Sequence, residues 1–204
     1  GRAHNSLGMV LDMPFCVDEA RWNKAVERVW ENSLPLQSRV RLLTQPETDW
    51  AYQLVDSTLP LRLETHDLRD QALSEEELEQ WLRAQIYQPY DLQANQLLWQ
   101  MDLVKYRDQR SVCLLRAHHL LLDGMGLSVC LQRMLDAYQQ AEGVVQTVPL
   151  EEEEFSVFAR SSRQQFDKPE VEQYWKPRLW GLEPLTCSVD SSRHDDVAHH
   201  HLVI

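Results

Sequence analysis

The strongest constraint on the fold is a change of apolar rhythm in the middle of the chain. Val112-Cys113-Leu114-Leu115-Arg116-Ala117 is a short run of mostly strand-compatible apolar residues, which predicts a buried strand. It leads directly into His118-His119-Leu120-Leu121-Leu122-Asp123-Gly124. Beyond that Asp-Gly turn, Leu127, Cys130, Leu131, Met134, Leu135 and Tyr138 recur at helical spacing. A helix therefore starts close to the turn, with its positive end facing the histidine pair.

Adjacent strand residues face opposite ways. His118 is expected to share a face with Val112, Leu114 and Arg116, and His119 to share one with Cys113, Leu115 and Ala117. Only one of the two rings then points into any given cavity. Asp123 is placed either to cap the following helix or to pair with a cation, and Gly124 leaves backbone open to a ligand. A neutral imidazole here is suited to accept a hydrogen bond or act as general base, because its ordinary pKa of about 6.5 lies near working pH. A lone strand-end histidine is usually satisfied by backbone. Two together, with Asp-Gly at this spacing, favour chemistry.

The rest of the chain reads as sheet and helix around this centre. Leu7 to Met13 reads as a first strand closed by Pro14, and Asp18 as the N-cap of a helix with stripe Trp22, Ala25, Val26, Val29 and Trp30. Leu36 to Leu43, Trp50 to Val55 and Leu61 to Thr65 are strand candidates, with turn residues 56–60 between the last two. Ser74-Glu75-Glu76-Glu77 is a capping box continued by Leu78, Trp81, Leu82 and Ile86. Trp99, Met101 and Leu103 alternate with Gln100 and Asp102, and Asp108-Gln109 turns that strand into the central one as a hairpin. The order predicts an α/β fold, a two-layer sandwich of a mixed sheet covered by helices.

Other clusters read as structural. Glu151 to Glu154 is expected to open a solvated helix, since consecutive carboxylates diverge around a helix and suit its first turn. Phe155, Phe158, Ala159 and Phe166, then Val171, Tyr174, Trp175 and Leu179, form two stripes expected in the core. His199-His200-His201 precedes Leu202-Val203-Ile204, so the middle ring would face away from its neighbours in a strand, and no metal site is expected there.

Charge and cysteine content narrow the partners. Twenty Lys and Arg against 32 Asp and Glu give a net charge of −12, which disfavours nucleic acid and anionic membrane. A 43% hydrophobic content over 204 residues suffices for one folded domain. Cys16, Cys113, Cys130 and Cys187 lack metal-type spacing and are expected to be reduced core thiols. No apolar run approaches the ~18 residues of a membrane helix and the start lacks a signal-peptide core, so a cytoplasmic location is expected. A first residue other than Met fits a processed, tagged or excised piece.

His118 to Gly124 matches the HHxxxDG motif, and in this the chain resembles the condensation domains of nonribosomal peptide synthetases, within the chloramphenicol-acetyltransferase-like superfamily. Gln88-Pro89-Tyr90-Asp91-Leu92 with Gln96-Leu97-Leu98-Trp99 is similar to the family's PFDL and PL segment, and Tyr174-Trp175 with Leu179 to its YW helix. The RHExLRTxF segment is followed only in part: Glu31, Asn32 and Ser33 stand where His-Glu is usual, and Gln37 replaces the arginine after Leu36. Gly126 stands where serine is frequent, with Ser128 a candidate substitute.

The resemblance implies one lobe of a pseudo-dimer. Residues 1–185 would form the N-terminal lobe, and 186–204 the crossover toward a C-terminal lobe. It implies amide formation between a donor acyl or peptidyl thioester and an acceptor aminoacyl thioester, both on phosphopantetheine arms of upstream and downstream peptidyl carrier proteins, beside an adenylation domain. No cofactor would reside in the lobe itself. His119 would orient the attacking amine and accept its proton, or stabilise the tetrahedral intermediate. His118 would brace the loop, Asp123 hold it through an ion pair, and Gly124 admit the thioester. The lobe alone would be inactive or very weak. Three competing readings carry their own tests. An epimerisation domain would exchange deuterium at the aminoacyl α-carbon. A wax-ester or diacylglycerol-type acyltransferase would use acyl-CoA without carriers. A noncatalytic carrier-docking lobe would leave activity unchanged in His119→Ala.

Overall fold

The computed structural model describes residues 5–45, 48–140, 157, 160–162, 164, 165 and 168–182, with residues 41–45 and 48–52 in backbone only. The chain divides into two compact units, residues 1–149 and 150–204.

The first unit is built on a four-stranded sheet. Its strands are β1 (Ser6–Met13), β4 (Leu63–Asp67), β5 (Trp99–Arg107) and β6 (Arg110–His118), in the spatial order β1-β6-β5-β4. β6 runs antiparallel to both neighbours, and β4 runs parallel to β5, so the sheet is mixed. The expected hairpin is present, with Trp99 opposite Ala117 and Leu103 opposite Cys113. A separate antiparallel ribbon pairs β2 (Ser38–Gln45) with β3 (Thr48–Val55). β2 begins at Ser38, later than the Leu36 start that the sequence rhythm gives, because Pro35–Gln37 form a 3₁₀ turn that buries Leu36.

Side-chain alternation sorts the sheet into two faces. Met101, Leu103, Cys113, Leu115 and Ala117 face a core closed by helices α1 (Glu19–Glu31) and α3 (Gly124–Gln139). Trp22, Val26 and Val29 of α1 and Leu127 and Met134 of α3 are buried there, each to about a side chain's full transfer energy of 1.5–3 kcal/mol. Val104, Tyr106, Val112 and Leu114 face the other way, under helix α2 (Glu75–Ile86) with its Leu78 and Leu82. The mixed sheet with packed helices is the α/β arrangement that the sequence predicts, with helices against both faces.

The helix starts follow the capping chemistry in the sequence. Asp18 accepts from the Arg21 N–H at 3.0 Å, and Ser74 and Glu77 complete the reciprocal capping box. Gln37 is buried and donates its amide to the Trp30 and Glu31 carbonyls, both at 2.9 Å. At the position where the family pattern carries arginine, this glutamine satisfies the end of α1.

In the second unit, α4 (Pro169–Leu179) starts on the proline favoured at a first helical position. The expectation that its stripe lies in a core is corrected: Tyr174, Trp175 and Leu179 are about half exposed. Helical spacing marks a face suited to burial, but not whether other residues cover it. The stripe from Phe155 to Phe166, the acidic run 151–154 and His199 to His201 lie outside the described residues. Cys16 also departs from expectation. It is exposed, whereas Cys113 and Cys130 are buried free thiols, and Cys187 lies outside the described residues.

Candidate active site

β6 delivers the histidine pair from the middle of the sheet. Val112, Leu114, Arg116 and His118 share the α2-side face, and Cys113, Leu115 and Ala117 the opposite one, as strand alternation requires. The strand ends at His118, and His119 begins a turn. The His118 N–H donates to the Leu98 carbonyl at 2.8 Å, and the His119 N–H to the Asn5 carbonyl at 2.7 Å. Backbone at the motif is therefore tied to segments on both sides.

The two rings have opposite environments. His118 is buried at 6% exposure, and its Nδ1 accepts the Leu120 N–H at 3.0 Å. Its carbonyl accepts the Leu121 N–H at 2.9 Å, tightening the same turn. Burial, and then the neighbouring His119, hold the His118 imidazole below its ordinary value and keep it neutral. The Tyr90 ring meets it edge to face, with centroids 6.2 Å apart. His119 is exposed, and among the described residues its ring forms no hydrogen bond. The side chain is open to an outside reactant.

The turn ends in a capped helix. Asp123 Oδ1 accepts the Gly126 N–H at 2.7 Å, so the carboxylate caps α3, and among the described residues no cation pairs with it. Gly124 is exposed, and a methyl group added to it would meet nothing within 4 Å. The space beside Gly124 at the start of α3 is open, while the Gly126 and Leu127 N–H groups are already taken by Asp123. At Gly126 a β-carbon would press on Leu122 and on Asp123 Oδ1.

Sequence reasoning gave no role to a polar network beneath this site. Arg116 is 6% and Asp102 1% exposed, with Arg116 Nε 3.4 Å from Asp102 Oδ2. Arg116 also donates to Gln100 Oε1 at 2.7 Å and to the Gln85 carbonyl at 3.2 Å. The Tyr90 hydroxyl donates to the Arg116 carbonyl at 3.1 Å, and burial pushes that phenol's pKa well up, so it remains a donor. The available signal was an arginine inside an apolar strand beside a strand carrying Asp102, since buried charges require partners.

Glu64, His66 and Asp102 offer one ligand atom each within 4.8 Å of one another. Asp102 Oδ1 already accepts from Gln100 Nε2 at 2.7 Å and its Oδ2 faces the Arg116 guanidinium, which repels a cation. That donor set suits an ion-pair network better than a metal.

The family model described as the condensation domain matches residues 9–202. The chain belongs to the condensation-domain family. It is 26% identical over 191 residues to chondramide synthase of Chondromyces crocatus, covering 89% of this chain and 5% of that protein. A linear gramicidin synthase of Brevibacillus parabrevis is 28% identical over 178 residues, covering 83% of this chain and 2% of that protein. A mutant of the starter condensation domain of rhizomide synthetase superposes with a TM-score of 0.70 at 20% identity, covering 91% of this chain and 45% of that one. The fold is thus that of condensation domains, with the chain spanning under half of that solved structure and a small part of the synthases. The general kind of chemistry that goes with this condensation-domain family is acyl transfer. Among the described residues no helix is long and apolar enough to cross a membrane.

Proposed function

We propose that this segment, completed by a second lobe, catalyses amide formation between a donor acyl or peptidyl thioester and an acceptor aminoacyl thioester. Residues 1–185 form the N-terminal lobe in this reading and 186–204 lead toward its partner. Upstream and downstream carrier proteins present the reactants on phosphopantetheine arms, an adenylation domain lies alongside, and the assembly works in the cytoplasm. The acceptor nitrogen attacks the thioester carbonyl, the carbon–sulfur bond breaks, and the donor carrier leaves as a thiol.

The observation that carries this reading is the contrast between the two rings. His119 stands exposed at the start of the turn, while His118 is spent on holding that turn. His119 orients the amine and accepts its proton, or stabilises the tetrahedral intermediate. Gly124 and the start of α3 leave room for the thioester oxygen near backbone N–H groups.

Product mass spectrometry on the parent protein, with a panel of loaded carriers, tests the proposal. His119→Ala should lower amide formation by about 10²–10⁴, the usual contribution of a positioned acid or base. Wild-type product yield from that variant overturns the role of His119. The 204 residues alone should form no product from two loaded carriers.

A further inference from the structure

We propose that Arg116, held between Asp102 and Gln100 and tied to Tyr90, is a positioning residue that sets the geometry of the histidine turn. The inference rests on the amide-forming reading above and extends it to residues that touch no reactant.

A chain of contacts connects this interior network to the exposed ring. Gln100 on β5 holds the guanidinium of Arg116 on β6 by one hydrogen bond, the Gln85 carbonyl at the end of α2 holds it by a second, and Asp102 is ion-paired to it. The guanidinium is thereby fixed against both β5 and α2. Tyr90 spans the next step, donating to the Arg116 carbonyl while its ring edge meets His118. His118 in turn accepts the Leu120 N–H, and His119 sits inside the turn so closed.

Stability alone does not account for such a network. Replacing a buried ion pair with well-packed apolar residues is often neutral or stabilising, because both charges had to be desolvated. Asp102 Oδ2 and Arg116 Nε lack a well-formed hydrogen bond even to each other. What a planar, multiply bonded guanidinium supplies is a fixed direction. Direction matters here because a small misplacement of a reacting group costs far more in rate than in folding.

The test uses the intact condensation domain containing this segment, with both carriers loaded. The double variant Asp102→Leu with Arg116→Met removes both charges together. Its melting temperature should fall only modestly, by the loss of both side-chain partners of buried Gln100. Its half-saturating carrier concentrations should stay within about twofold, and its single-turnover rate should fall about 10- to 100-fold. Tyr90→Phe keeps the ring and deletes only the hydroxyl. It should slow the same step about 3- to 10-fold with unchanged carrier saturation. Long-range proton–nitrogen spectra add a structural readout: Nδ1 of His118 should be unprotonated in the parent and lose that single tautomer in both variants.

A folded double variant with the parent's rate and tautomer overturns the inference. Should the double variant not fold, Tyr90→Phe at the parent's rate overturns it equally. His119→Ala in the same assay separates the two ideas. If His119→Ala is inactive while the network variants keep full rate, this inference alone fails. If His119→Ala is fully active, the underlying functional reading fails instead.

Discussion

The Leu120 N–H donates to Nδ1 of His118 at 3.0 Å, which makes a buried neutral imidazole the acceptor that shapes the motif turn. Protonating Nδ1 would destroy that acceptor and place a charge beneath the sheet. The folded pKa is depressed, chiefly by burial, below the ordinary value. Between the folded value and about 6.5, the unfolded chain binds more protons than the folded one. The stabilisation is therefore complete above about pH 6.5, falls as the pH drops below that, and levels off below the folded pKa. Denaturant midpoints from about pH 7.5 down to about pH 5 should fall more steeply for the wild type than for His118→Gln. Parallel profiles would remove His118 from the acid response.

Asp123 serves the loop as a helix cap, so its value lies in an acceptor oxygen more than in its charge. Asp123→Asn keeps that oxygen and should retain most of the stability, with a small loss of favourable interaction at the positive helix end. Asp123→Ala should cost about 0.5–2 kcal/mol. Urea denaturation of the three proteins distinguishes the cases. Equal losses in Asn and Ala variants would mean that a charge-dependent partner holds the loop.

The motif strand, its turn and its helix were legible because each carries a local rule: apolar run, Asp cap, apolar positions at helical spacing. The alternation that assigned His118 and His119 to different faces also holds in the structure up to the end of β6. Two things were not legible. Gln100 and Asp102 read as the polar half of an alternating strand, the usual mark of a solvated face, yet both are buried because α2 and Arg116 cover them. The Tyr174 stripe gave the opposite error, an apolar face read as core that is exposed on α4. Local periodicity reports what a face prefers, and only the tertiary arrangement determines what lies against it.

Two fully buried tryptophans should respond differently to the same substitution. Trp99 Nε1 donates to the Leu36 carbonyl at 2.7 Å, joining β5 to the turn that feeds the β2–β3 ribbon. Trp22 Nε1 has no hydrogen-bond partner among the described residues, although its ring is equally buried. Trp99→Phe loses packing and also leaves a carbonyl without its donor, an additional cost of about 1–3 kcal/mol. Trp22→Phe loses packing but removes an unsatisfied donor. Equilibrium denaturation should place Trp99→Phe clearly below Trp22→Phe, and the reverse order would show that cavity volume outweighs the hydrogen bond.

Gly8 on β1 lies opposite Arg116 on β6, on the face covered by α2. A β-carbon there would overlap the Cγ1 and Cδ1 atoms of Ile86, whose branched side chain is anchored close to the helix backbone. Relief requires the end of α2 to move, and Gln85 beside it carries the carbonyl that accepts from Arg116. Gly8→Ala should therefore destabilise the fold by about 1–3 kcal/mol through overpacking. Trimming the neighbour in Ile86→Ala also costs stability alone, by loss of burial. Together the two changes should cost less than the sum of their separate effects, because the methyl group added at Gly8 occupies space vacated by Ile86. Strict additivity in a double-mutant cycle would show that the two positions do not share that space.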